Sequence, residues 1–187
     1  MFNENAAVAR LSELFALELG YPPDYAWQIS IAAALHDVGK KLLDPAIVNK
    51  PGKLTPEEFD VIKTHTKLGA QLLSDIPGEL GTLIVNVCAF HHEWHNGEGY
   101  WGIPTSRLPR YITVISIADV FCACCAKRSY KDSWPPEQVL EYLKSRVGTQ
   151  FPLDMVDAFI LLIRNNKDVP AIFATTGEAD TPLADEQ

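Results

Sequence analysis

From His91 to Gly102 the chain reads HHEWHNGEGYWG, three of its five histidines within five residues, then three glycines among polar and aromatic residues. Imidazole is a common metal ligand and titrates near neutral pH. Glycine lets a chain fold close over whatever precedes it. Two apolar segments elsewhere carry polar residues that fit the same chemistry. WQISIAAALHDVGK (Trp27–Lys40) ends in adjacent His36 and Asp37, and YITVISIADVFCACCA (Tyr111–Ala126) holds Asp119 at its middle. A buried, ionised carboxylate is costly unless it is paired or bound to a metal. Taken alone, Asp119 reads as a hydrogen-bonded structural residue, and His65, in IKTHTKLGAQLL, as a surface or capping histidine.

Together the residues read differently. His36, Asp37, His65, His91, His92 and Asp119 come from four segments with helical patterning. Neighbouring helical side chains diverge by about 100°, yet at a helix end two histidines can still converge on one centre or on two adjacent ones. Four imidazoles and two carboxylates are too few for two closed four-coordinate sites. With a bridging Asp and a bridging water they suffice for two metals with open positions. Imidazole plus carboxylate favours iron, manganese or zinc over calcium. Two metals about 3.5–4 Å apart can hold a hydroxide and clamp a phosphoryl group during in-line attack.

The elements that must position these groups are helical throughout. Val8, Leu11, Phe15 and Leu19 mark a first helix over about Asn5–Leu19, closed at Gly20. A second, about Asp24–Asp37, carries Trp27, Ile31, Ala34 and Leu35 on its apolar face. Lys40–Leu54 is expected to be a loop. Thr55-Pro56-Glu57-Glu58 is a capping box with proline at the first helical position, starting a third helix that runs to about Leu73. A fourth opens near Pro77 and reaches HHEWH. Arg107–Lys127 forms a fifth, apolar nearly all round and therefore buried. Pro135–Val147 and Pro152–Asn165 are a sixth and seventh. Nothing reads as a strand pair. The fold expected is all-α, a single-domain bundle of about seven helices over residues 1–170, with an acidic, aperiodic tail at 171–187 expected to be flexible.

Composition narrows the function. The 187 residues suffice for one hydrophobic core. A net charge of −8 disfavours nucleic acid polymers, though a small anion can still bind where basic residues gather. No apolar run is long enough for a membrane span, and MFNENAAVAR lacks the features of a signal peptide. Cys88, Cys122, Cys124 and Cys125 fit neither a disulfide framework nor a zinc knuckle; they read as small buried residues in a reducing cytoplasm.

The same residues carry a resemblance. HDVGK at His36–Lys40 resembles the HD signature of HD-superfamily metal-dependent phosphohydrolases. NKPGKL (Asn49–Leu54), THTKLG (Thr64–Gly69), HHEWHNGEGY (His91–Tyr100), Ala118-Asp119, RSYK (Arg128–Lys131) and GTQF (Gly148–Phe151) follow in the order seen in HD-GYP domains, a family that includes cyclic di-GMP phosphodiesterases. The resemblance covers about residues 5–165. It implies an HD-type helical bundle in which His36, Asp37, His65, His91, His92 and Asp119 ligate two divalent ions, iron or manganese, with Asp37 bridging. It also implies that Asp37 and Lys40 are catalytic, and that Lys40, Tyr100, Arg128 and Lys131 contact the cyclic dinucleotide. The implied reaction is attack of a metal-bound hydroxide on phosphorus, giving linear pGpG, with GMP as a further product. Chemistry independently supports Lys40, Arg128 and Lys131, since a phosphodiester beside metals wants added positive charge. It leaves Tyr100 open between substrate contact and loop packing.

Three departures from the motif bear on this. GYP reads GYW, so Trp101 stands where the family has proline; proline stiffens a loop, whereas tryptophan offers a ring that could stack on guanine. No histidine precedes His36, and the equivalent of the family's upstream histidine falls at Glu4. A still earlier ligand would fall at or before Met1, so at most two metals are expected. No sensory or receiver domain is expected within this chain, so either regulation comes from elsewhere or the chain is an excised piece. Two competing functions follow: an HD-GYP-like module that binds a cyclic dinucleotide or signalling protein partners without turnover, and a hydrolase of another nucleotide.

Overall fold

The computed structural model describes residues 4–126, 133–167, 169 and 172. Among the described residues there are eight α-helices: α1 (Glu4–Glu18), α2 (Pro23–Leu35), α3 (Pro45–Val48), α4 (Pro56–Leu72), α5 (Gly78–Phe90), α6 (Tyr111–Cys125), α7 (Pro136–Ser145) and α8 (Leu153–Asn165). Among the described residues no strand forms beyond one isolated bridge between Val147 and Phe151. The all-α expectation holds, with two corrections. The segment expected to be a loop, 40–54, contains part of a 3-10 turn, Val38–Leu42, and the short α3. The fifth predicted helix starts at Tyr111, because Thr105–Arg107 forms a separate 3-10 turn before Pro109.

α6 is the axis of the bundle. Twelve of its fifteen residues are buried, Asp119 among them. α1, α7 and α8 pack on it, and the rings of Phe15 and Phe121 both meet Phe159 edge-on at 5.0 and 5.3 Å. At about 25 cal/mol per Å² of apolar surface removed from water, such a core is the main source of stability. On the other side α2 packs on α5 and α5 on α4. The predicted capping box forms at the start of α4: Glu58 N–H donates to Thr55 Oγ1, and Thr55 N–H to the Glu58 carboxylate. The buried face of α2 is Ala26, Ile29, Ala32 and Ala33; Trp27, expected on that face, is 57% exposed. Cys88, Cys122 and Cys124 are buried, Cys125 half-buried, and all four are free thiols.

One close approach brings the two halves of the site together. A Cβ on Gly39 would collide with the His65 carbonyl and the Gly69 amide on α4. The turn after α2 can therefore lie against α4 only because position 39 has no side chain.

Candidate metal centre

Helix ends deliver most of the site. α2 stops at Leu35, two residues before its predicted end, so His36 and Asp37 occupy the turn beyond it. α5 stops at Phe90, leaving His91 as its cap and His92 just past it. α4 contributes His65 from its interior, on the buried stripe Ile62, His65, Thr66, Gly69. His65 is fully buried rather than superficial. α6 contributes Asp119.

Three imidazoles are locked in one sense. His36 Nδ1 lies 2.6 Å from the Ala33 carbonyl, His65 Nδ1 2.7 Å from that of Ile62, and His91 Nδ1 2.9 Å from that of Val87. A carbonyl only accepts, so each Nδ1 carries the proton. In the neutral ring each Nε2 then turns a lone pair towards the others, as a metal-ligating histidine requires.

Asp37 stands between two groups of these nitrogens. Its Oδ1 is 3.2 Å from His65 Nε2 and 3.8 Å from His91 Nε2. Its Oδ2 is 3.3 Å from His36 Nε2 and accepts from the Lys40 ammonium at 2.8 Å. His36 Nε2 is in turn 3.5 Å from Asp119 Oδ1. Although crowded, His36 Nε2, Asp37 Oδ1 and Asp119 Oδ1 are buried without a hydrogen-bond partner. Unsatisfied buried donors and acceptors are rare and call for a cause. Here the donor set fits a metal: one ligand atom from each of Asp37, His65, His91 and His92 lies within 4.8 Å of every other.

Without an ion, the charges of the cluster divide its histidines. Burial would raise Asp37, but the Lys40 ammonium and His36 hold its pKa well below the ordinary carboxylate value. Burial would likewise lower His36, yet Asp37 and Asp119 push it well above its ordinary value. Burial, with His36 and His65 beside it, drives His91 down to about 3, so its ring is neutral at pH 7. Desolvation, followed by His91, His65 and Lys40, lowers His92 in the same way.

The glycine loop folds back over this cluster, as its composition implies. A Cβ on Gly99 would strike Glu93 Cα and the His92 carbonyl. Tyr100 stacks on His92 with ring centroids 4.4 Å apart and meets His65 edge-on at 6.3 Å. His95 is half-buried, and its backbone N–H and that of Asn96 donate to the Gln150 and Thr149 carbonyls of the GTQF segment. The indole N–H of Trp101 donates to Thr66, and the Lys67 ammonium lies over one ring face. The residue that sequence reasoning missed is Glu93, 1% exposed, whose carboxylate accepts from two amides of the loop. Its only sequence signal is its place between the paired histidines and the glycines. Arg128 and Lys131 lie outside the described residues, as does the acidic tail apart from Ile172.

The model of the HD domain family matches residues 1–154. The chain belongs to the HD-domain family. It is 33% identical over 175 residues to a cyclic di-GMP phosphodiesterase of Thermotoga maritima, an alignment covering 93% of this chain and 47% of that protein. It is 35% identical over 154 residues to 3'3'-cGAMP-specific phosphodiesterase 2 of Vibrio cholerae, covering 82% and 30%. Among solved structures it superposes on Bd1817, an HDG"Y"P protein from Bdellovibrio bacteriovorus, with a TM-score of 0.68 at 20% identity, covering 87% of this chain and 52% of that one. At that identity the superposition speaks for the fold. The ordered motifs and these relatives put this HD domain in the HD-GYP branch, with tryptophan in place of the motif's proline. The chain spans less than half the length of the curated relatives it matches.

Proposed function

We propose that this HD domain is a metal-dependent phosphodiesterase acting on a cyclic dinucleotide, with cyclic di-GMP as the leading substrate and 3'3'-cGAMP as the second. The observation that carries the reading is Asp37: one of its oxygens faces His65 and His91, and the other faces His36. His36, Asp37, His65, His91, His92 and Asp119 would hold two divalent ions, iron or manganese, with Asp37 shared. Ions held there supply a water activated at neutral pH and positive charge for the phosphoryl oxygens.

The chain's own residues supply the rest. The carbonyl bonds to Nδ1 fix the three rings before any ion arrives, so little reorganisation is needed. Lys40, anchored on Asp37 Oδ2, puts an ammonium beside the cluster where a substrate phosphate would meet it. Tyr100 closes the wall over His92. Arg128 and Lys131 would add further phosphate contacts, and the product would be linear pGpG, with GMP on further hydrolysis. A binding module without turnover remains the second reading on one observation: α1 carries Glu4 and no histidine. The test is hydrolysis of cyclic di-GMP and 3'3'-cGAMP by metal-loaded protein, with Asp37→Ala as control. Turnover abolished in that variant supports the proposal; turnover unchanged by it sinks the assignment.

A further inference from the structure

The loop after the paired histidines is held by groups that the metal cluster does not use. Glu93 directly follows His92 and is 1% exposed. Its Oε1 accepts from the Trp101 N–H at 2.6 Å and its Oε2 from the Ile103 N–H at 2.7 Å, so the carboxylate straddles Gly102. Burying a carboxylate is costly unless its oxygens are hydrogen-bonded, and two short charge-assisted bonds meet that condition. A second anchor lies nearer α4. Trp101 Nε1–H donates to Thr66 Oγ1 at 3.0 Å, next along the chain from His65, and the Lys67 ammonium stands 3.3 Å from the indole centroid. Immediately before Trp101 comes Tyr100, stacked on His92.

We infer that Glu93 is a positioning residue: it fixes the loop so that Tyr100 is set against His92, with Trp101 as the second anchor. Side-chain attachment thereby gives the stiffness that proline gives at this position of the resembled motif. The segment His91–Glu93 thus serves two tasks, offering two imidazoles to the cluster and a carboxylate to the loop that covers it. The indole N–H and one of its faces are already engaged, so Trp101 acts as an anchor rather than as a free platform for a base. The inference rests on the proposed hydrolysis only for its kinetic readout.

Glu93→Gln tests it, since the variant keeps the size but turns an NH2 towards one of two N–H donors. In metal-loaded protein, metal per chain should be unchanged, while amide exchange at Trp101 and Ile103 should quicken by about tenfold, the scale of one charge-assisted hydrogen bond. KM for cyclic di-GMP should rise by about tenfold with kcat within about threefold, as expected when a binding contact is displaced. In a Tyr100→Ala background Glu93→Gln should add nothing to KM, because coupled residues are non-additive. Trp101→Phe, which removes the indole N–H bond to Thr66 and shrinks the ring under Lys67, should quicken the same amides by about two- to fivefold, the scale of one neutral hydrogen bond. Unchanged exchange in both variants overturns the inference, as does a KM effect of Glu93→Gln that persists in full without Tyr100. If the wild type hydrolyses no cyclic dinucleotide, the proposed function fails, and the exchange measurement still tests the clamp.

Discussion

The two sides of Asp37 are built from unequal materials. Oδ1 faces His65 and His91, with His92 in the same cluster, and two of these three rings are locked by carbonyl bonds. Oδ2 faces His36 and accepts from Lys40, and His36 in turn lies beside Asp119. The first side offers three imidazoles; the second offers one imidazole, one further carboxylate and a competing ammonium. Each imidazole–metal bond adds to affinity, and an ammonium beside an ion subtracts from it. An ion on the three-imidazole side should therefore be the tighter of the two. That asymmetry follows from which elements reach each side: α4 and the end of α5 bring histidines to the first, while the turn after α2 and the middle of α6 bring His36 and Asp119 to the second.

Substitutions can break or sharpen this contrast. Asp37→Ala removes the shared ligand, so both ions should be lost and cyclic di-GMP turnover should fall more than about 100-fold, beyond the effect of an outer-shell change. Metal analysis and a product assay on the same preparation check it. His36→Ala strips only the poorer side and should leave one ion on the three imidazoles, whereas His65→Ala should weaken the tight ion; titration with manganese would read the two affinities apart. Arg128→Ala should raise KM by about tenfold, one lost charged contact to phosphate, with metal content unchanged. If metal is lost with it, Arg128 is structural.

The smallest expected effect concerns thiols rather than metal. Burial pushes Cys88 and Cys125 up to about 12. Both should react slowly with a thiol reagent at pH 8 in the native protein and fast once unfolded. The folded pKa lies above the unfolded value of about 8.5, so the unfolded state loses these protons first. Stability from the two thiols is thus complete below about pH 8.5 and declines as pH climbs towards 12. Thermal melts across that range would show the decline.

Much of the site was legible because its chemistry is concentrated: the capping box, the HD pair, the paired histidines and an Asp inside an apolar helix are all readable as residue types. What escaped has physical causes. The end of α2 was placed two residues late, which hid the fact that His36 and Asp37 sit in a turn. His65 reads as superficial when taken alone, yet Ile62, His65, Thr66 and Gly69 form a stripe at helical spacing that is buried despite its mixed polarity. Helical spacing puts Trp27 with Ile31, Ala34 and Leu35, whereas Ala26, Ile29, Ala32 and Ala33 make the buried face of α2 and leave the indole outside. Glu93 escaped because a buried carboxylate is recognised by its partners, and its partners are backbone amides eight and ten residues on.

A carboxylate shared between two metal positions of unequal strength should show itself in the metal content of the protein. Elemental analysis of anaerobically purified protein, loaded with iron or manganese, tests it most directly. The wild type should hold about two ions per chain, as a two-metal site requires, His36→Ala one and Asp37→Ala none. A wild-type chain that stays below one ion after loading, or an Asp37→Ala chain that keeps both, would contradict it.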